Sequence, residues 1–200
     1  MLRKTTIEKF LKELASKKPT PGGGSAAALT GAQACALCAM VGKLSGSKRA
    51  QNCAIKAERF QKVLEGIIDQ DTKAFNAVMR AYVMPKSTKN QREKRKDKIQ
   101  EALKRATEVP LQTARYGYET LKLAEILVDE GNQSAISDVG TAALLCGASI
   151  KSALLNIRIN LSSIKDDRFR EEIEKGIDKI IDYPIKTAEI SNEVYKKISG

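Results

Sequence analysis

Pro19 to Gly42, PTPGGGSAAALTGAQACALCAMVG, carries no charged side chain in a chain that is 30% charged. A second stretch, VGTAALLCGASIKSALLNIRINL from Val139, is almost as bare, with Lys151 and Arg158 its only charges. Glycine, alanine and serine at helical spacing let neighbouring backbones approach, so the first segment is expected as a central helix, and the second is again very small-residued. The other periodic segments repeat Ala, Leu, Lys, Glu and Ile every three or four residues, and no alternating Val/Ile/Tyr run supplies strands. The expected class is all-α. At 200 residues and 42% hydrophobic content, one core is the expectation, with residues 1–200 a single domain built as a bundle of about six helices.

The spacing predicts helices over Thr6 to Ser16, Gly24 to Leu44 (with Ser25 near its start and Gly46 beyond its end) and about Asn52 to Val83. The basic run KSTKNQREKRKDK, Lys86 to Lys98, opens the next, which passes Pro110 and stops at Gly131; the proline predicts a kink or break. Ser137 or Asp138 is available to cap the bare second segment. A last amphipathic helix covers about Arg168 to Ile198, interrupted near Pro184.

Pro19 to Gly42 is long enough to raise the question of a membrane span, but it is built of Ala, Gly, Thr, Ser and Gln rather than Leu and Ile, so a buried soluble helix is expected. The start MLRKTTIEKF has no apolar leader core, and four cysteines make no disulfide framework in a chain of this size, so the reading is cytoplasmic. Thirty-five basic against 24 acidic residues, net +11, point to an anionic partner. Aromatics are 4% and tryptophan is absent, which counts against stacking on single-stranded nucleic acid. Histidine is absent too. Proton chemistry must then come from Asp, Glu, Lys, Cys or Tyr, and no imidazole ligand exists for a metal.

In the long third helix, Phe60, Leu64, Ile67, Asp71, Phe75, Val78 and Tyr82 follow one another at three- and four-residue steps. Asp71 thus sits inside an apolar stripe, whereas Asp69 falls off the line and should face water. A carboxylate so placed is ion-paired, hydrogen-bonded to a helix end, or a working acid/base kept protonated by burial. The Gly22–Gly23–Gly24 triplet puts backbone N–H groups at the positive end of a helix, as a ligand loop or simply as a tight turn. Cys35 and Cys38, without a second pair, read as small buried hydrophobes. Lys151 and Arg158 either reach Asp71 or an anionic ligand, or extend to the bundle edge. Asn156 and Asn160, at i and i+4, either hydrogen-bond a heterocycle or tie two helices together.

Five segments, in order, carry a family resemblance: PTPGGGSAAALTGAQACALCAMV, DQDTKAFNAVMRAYVMPK, ATEVP, DEGNQSAISDVGTAALL and NIRINL. Together, over roughly residues 5 to 165, they resemble the cyclodeaminase/cyclohydrolase family, which includes the cyclodeaminase domain of formiminotransferase-cyclodeaminase and stand-alone methenyltetrahydrofolate cyclohydrolases. The resemblance implies a helical, homodimeric enzyme of folate one-carbon metabolism, with no cofactor beyond the tetrahydrofolate that carries the carbon and no metal. The family pattern D-T-x-A-F places the acid/base carboxylate at Asp71. It also points to Gly22, Gly23, Gly24, Ser25, Lys86, Asn132 and Asp138 as the substrate neighbourhood, without individual roles, and Asn156 and Asn160 join them as candidate substrate contacts. Lys86, Lys89, Arg92 and Lys94 are the candidates for the glutamate tail, single or polyglutamylated. Cyclodeamination of 5-formiminotetrahydrofolate is placed first and methenyl hydrolysis second, although the 200 residues contain no formiminotransferase segment, which favours the hydrolysis. A basic nucleic-acid-binding module acting through Lys86 to Arg105 would explain the charge but neither Asp71 nor the glycine triplet.

Overall fold

The computed structural model describes residues 1–200 as seven α-helices and no strand. They are α1 (Ile7–Leu14), α2 (Gly23–Lys43), α3 (Lys48–Tyr82), α4 (Lys89–Glu130), α5 (Ile136–Leu161), α6 (Asp167–Asp178) and α7 (Tyr183–Ser199), with one-turn 3-10 segments at Leu2–Lys4 and Gln133–Ala135. The expected last helix is two, α6 and α7, separated just before Pro184. Helix α3 starts earlier than the periodicity suggested because Ser47 accepts from the backbone N–H groups of Arg49 and Ala50 and so fixes the first turn. Thr88 and Gln91 form a reciprocal capping box that starts α4 directly after the turn at Pro85.

Helix α2 is the axis of the bundle, packed against α3, α4 and α5. Its Ala28, Ala34, Cys35 and Cys38 are fully buried, and its neighbours supply the bulk: Leu64 and Ile67 from α3, Leu121 and Leu127 from α4, Ile150 and Ile157 from α5. Small residues on the central helix and large ones around it let four backbones converge without voids. Gly42 marks a close crossing of α2 and α3, since a Cβ there would strike the Ala50 carbonyl oxygen and lie 3.0 Å from the Ala54 Cβ. By length and composition α2 and residues 133–161 would suit a bilayer; here α2 is mostly buried in the bundle, while α5 buries one face and leaves Leu144, Leu155 and Ile159 exposed on the other.

Pro110 does not break α4, which runs unbroken from Lys89 to Glu130. A proline inside a helix has no N–H for the carbonyl four residues earlier, here Ala106. That carbonyl instead accepts from the Asn160 side-chain amide at 2.8 Å. Replacing Asn160 by alanine is expected to leave Ala106 oxygen unpartnered and to cost about 1–3 kcal/mol of stability. Adding Pro110→Ala restores a backbone donor, and denaturant melts of the double variant should recover most of that loss.

Candidate active site

Two helix segments meet at Asp71. The first turn of α2 brings Ser25, whose hydroxyl oxygen lies 2.8 Å from Asp71 Oδ2 and 3.1 Å from the Ile68 carbonyl oxygen one turn earlier on α3. The second contact is with Gly24, where a Cβ would lie 2.6 Å from Asp71 Cγ and overlap Oδ1. Of the triplet, only Gly24 is dictated by close approach. A Cβ on Gly22 or Gly23 would have ordinary contacts, 3.8 Å from the Pro19 carbonyl oxygen and 3.7 Å from Asn156 Nδ2. Ser25 is the third helical residue of α2 and not its cap; Gly22 holds that position.

No cation reaches Asp71. Arg158 is drawn away into an ion pair with Glu174 of α6, and Lys151 is exposed on the outer face of α5. Burial pushes the Asp71 carboxyl above the ordinary carboxylate value, while the Ser25 hydroxyl and backbone N–H pull it the other way without cancelling the rise. The sequence left three states open for this carboxylate. Ion pairing is not the one found, and hydrogen bonding to a helix end coexists with a raised pKa. Asp69, expected to face water, turns inward: it accepts from the Leu2 backbone N–H at 2.6 Å and pairs with Arg3 at 3.6 Å, so it ties down the N-terminal segment.

Beside Asp71 opens a cavity of about 360 Å³. Its walls are mainly apolar, with Phe75, Val78, Met79 and Tyr82 from α3, Leu103 and Ala106 from α4, and Asn156, Ile159, Asn160 and Ser163 at the end of α5 and just beyond it. Volumes of this order fit small ligands. Asn156 and Asn160 spend their amide N–H groups on the Ser152 and Ala106 carbonyls, each at 2.8 Å. Asn160 thereby ties α5 to α4, whereas the Asn156 bond stays within α5, and both amide oxygens are left as acceptors at the cavity wall. The groove between α3 and α4 lined by Ala77, Arg80 and Met84, about 260 Å³, holds no buried carboxylate.

Lys86, Lys89, Arg92 and Lys94 are exposed on the turn and first helical turns beyond α3. None of them lines the cavity. Arg92 is committed to that turn, donating to the Lys86 and Ser87 carbonyls at 3.3 and 2.8 Å. Arg95, which spacing did not single out, donates twice to the Tyr82 carbonyl, at 3.2 and 3.0 Å, and covers the Tyr82 ring at 6.0 Å. It steadies the residue at the cavity edge.

Asn132 and Asp138 are not brought to Asp71 within the chain. Asn132 donates to the Leu44 carbonyl at 3.0 Å and caps the 3-10 turn by accepting from Ser134 N–H at 2.9 Å. Asp138 lies in the first turn of α5, which has no side-chain cap, so neither it nor Ser137 plays the capping role the sequence offered. Eighteen residues of helix separate Asp138 from Asn156, about 27 Å at 1.5 Å per residue. The two residues bracket the start of α5, whereas Asp71 is near its end. Cys35 and Cys38 are core residues, as expected; burial pushes the Cys35 thiol up to about 11, and its sulfur is 3.1 Å from Thr120 Oγ1.

An all-helical bundle with a compact, largely apolar cavity beside one unpaired carboxylate falls in the class of small-molecule enzymes built wholly from helices. A model of the family described as formiminotransferase-cyclodeaminase matches residues 6–179. The chain is 39% identical to the methenyltetrahydrofolate cyclohydrolase of Methylorubrum extorquens across 98% of its own length and 96% of that protein. It is 30% identical to the formimidoyltransferase-cyclodeaminase of Mus musculus over 88% of its length, but spans only 34% of that larger enzyme. The crystal structure of formiminotetrahydrofolate cyclodeaminase from Thermotoga maritima superposes with a TM-score of 0.83 at 28% identity, covering 100% of this chain and 98% of that one. The chain belongs to the formiminotransferase-cyclodeaminase family of folate one-carbon enzymes.

Proposed function

We propose that the chain is a methenyltetrahydrofolate cyclohydrolase, with Asp71 its acid/base. The observation that carries the reading is a half-buried carboxylate with no countercharge, raised above the ordinary value, at the wall of a cavity of about 360 Å³. The full-length 39% identity to a protein of that name favours hydrolysis over the deamination that the motifs alone placed first.

The chemistry suits one carboxyl group. Water attacks the methenyl carbon between N5 and N10, and ionised Asp71 takes the proton that the attacking water loses. The product of this step is a neutral carbinolamine beside protonated Asp71. Asp71 then returns the proton to N5 as the carbon–N5 bond breaks, the hydroxyl proton leaves to solvent, and the formyl group stays on N10. One proton is released overall, and the carboxylate is regenerated. A pKa near the working pH serves both transfers. The apolar walls from Phe75 to Tyr82 suit a flat heterocycle, with the amide oxygens of Asn156 and Asn160 as acceptors for ring N–H groups. The exposed Lys86, Lys89 and Lys94 remain the proposed contacts for a glutamate tail.

Cyclodeamination is the second reading, favoured by the end-to-end structural match to the Thermotoga protein. N10 would attack the formimino carbon, and the same shuttle would move a proton from N10 to the departing amine. Purified protein given 5,10-methenyltetrahydrofolate and, separately, 5-formiminotetrahydrofolate decides between them. Loss of methenyl absorbance faster than buffer supports the hydrolase, and methenyl appearance with ammonia supports the deaminase. Inactivity on both removes the proposal.

A further inference from the structure

Ser25 is wholly buried, and its hydroxyl oxygen stands within hydrogen-bond distance of two oxygens at once, Asp71 Oδ2 at 2.8 Å and the Ile68 carbonyl at 3.1 Å. A serine has a single hydroxyl proton, and a carbonyl oxygen only accepts. If Asp71 is ionised, Ser25 can donate to one of its two neighbours and not to both. If Asp71 is protonated, both contacts are satisfied in one direction: Asp71 O–H donates to Ser25 Oγ, and Ser25 O–H donates to Ile68. The Ile68 carbonyl can give up this bond because, at mid-helix, it also faces the Thr72 backbone N–H one turn on.

We propose that Ser25 is a positioning residue that swings its one hydroxyl proton between the Ile68 carbonyl, when Asp71 is protonated, and Asp71 Oδ2, when it is ionised, so that both states of the acid/base carboxyl keep one orientation. The proposal deepens the acid/base reading of Asp71 and rests on it for its catalytic meaning. A group that hands a proton on and takes it back must not rotate between the two events, and Gly24 on one side with Ser25 on the other hold the carboxyl through both.

The surroundings leave Ser25 as the polar group that responds. From α2, Gly24 and Ser25 face Asp71 with no charge, and from α4 the cavity wall brings only Leu103 and Ala106. From α5 come the neutral Asn156, Ile159 and Asn160, while Lys151 and Arg158 lie outside the cavity. On α3 itself the cavity's other titratable group is the Tyr82 phenol, and Asp69 is engaged with Leu2 and Arg3.

The test needs no substrate. In protein carrying carbon-13 at aspartate side chains and backbone carbonyls, the Asp71 carboxyl signal is assigned by its absence in Asp71→Asn and followed with pH. In the native protein the Ile68 carbonyl signal is expected to move along the same titration curve, because Ser25 releases Ile68 as Asp71 ionises. In Asp71→Asn that movement should vanish. Ser25→Ala removes a donor that favours the anion more than it favours the neutral acid, so at fixed pH the ratio of ionised to neutral Asp71 should fall roughly tenfold. The acid limb of kcat/KM should move to higher pH with it.

An Ile68 signal that stays flat while Asp71 titrates overturns the proposal, even if Ser25→Ala does not fold. So does an unmoved Asp71 titration in folded Ser25→Ala. A native protein without turnover in which the two signals still move together removes the enzyme reading and leaves the switch standing.

Discussion

Asp71→Asn is expected to lower kcat about 10²- to 10⁴-fold, the range for loss of a positioned acid/base, in a protein that folds as well as its parent or better. An asparagine amide can donate from Nδ2 to Ser25 Oγ as the neutral carboxylic acid does, so the hydrogen-bond chain to Ile68 survives the substitution. What disappears is the cost of burying a charge. The sign follows from the direction of the shift. Asp71 holds its proton more tightly folded than unfolded, because burial disfavours the anion. Below the unfolded pKa both states are neutral and no penalty exists. Between the unfolded and the folded value the unfolded chain ionises first, and native stability declines as pH rises. Above the folded value the penalty is complete. Asparagine does not titrate, so the variant should match the parent in acid and exceed it near neutrality, which thermal melts at the two conditions will show. Turnover in the native protein should rise with pH across the same window. A variant with parental kcat would end the assignment of Asp71.

Gly24→Ala should be nearly as damaging to turnover and, unlike Asp71→Asn, should destabilise. Alanine is the better helix former by up to about 1 kcal/mol, so propensity alone predicts a gain. The new methyl would occupy the place of Asp71 Oδ1, 2.6 Å from Cγ. Either the carboxyl rotates out of its contact with Ser25 or the first turn of α2 shifts away from α3. Overpacking of this kind typically costs about 1–3 kcal/mol, and a displacement near 1 Å at an acid/base can cost about a hundredfold in rate. Gly23→Ala, at the first helical position and 3.7 Å from Asn156 Nδ2, is the structural control and should melt no lower than the parent. If Gly24→Ala keeps parental stability and parental kcat, then Asp71 is not held where this geometry places it.

The all-helical class and the central place of α2 were legible because composition is a bulk property: a charge-free run of small residues in a highly charged chain has nowhere to go but between helices. Asp71 was legible for a related reason, as a carboxylate in the middle of a 3.6-residue apolar stripe is an energetic anomaly visible in one dimension. Asn132 and Asp138 show the limit. The motifs grouped them with the glycine triplet, but helix length fixes position, and some 27 Å of α5 separates Asp138 from the cavity. Asn160 shows another. Its position one turn from Asn156 said only that it was polar and helical, while its partner, the Ala106 carbonyl freed by Pro110, lies 54 residues away on a different helix.

By itself, then, the sequence determined the helices, which of them must be innermost, and which acid had to be explained, since each of these follows from local periodicity and from the free energy of burying apolar or charged groups. Tertiary structure decided what surrounds that acid. A carboxylate's protonation and orientation depend on the few atoms within hydrogen-bond reach, and for Asp71 those atoms come from Gly24 and Ser25, more than forty residues earlier in the chain, whose approach is set by the crossing of α2 and α3.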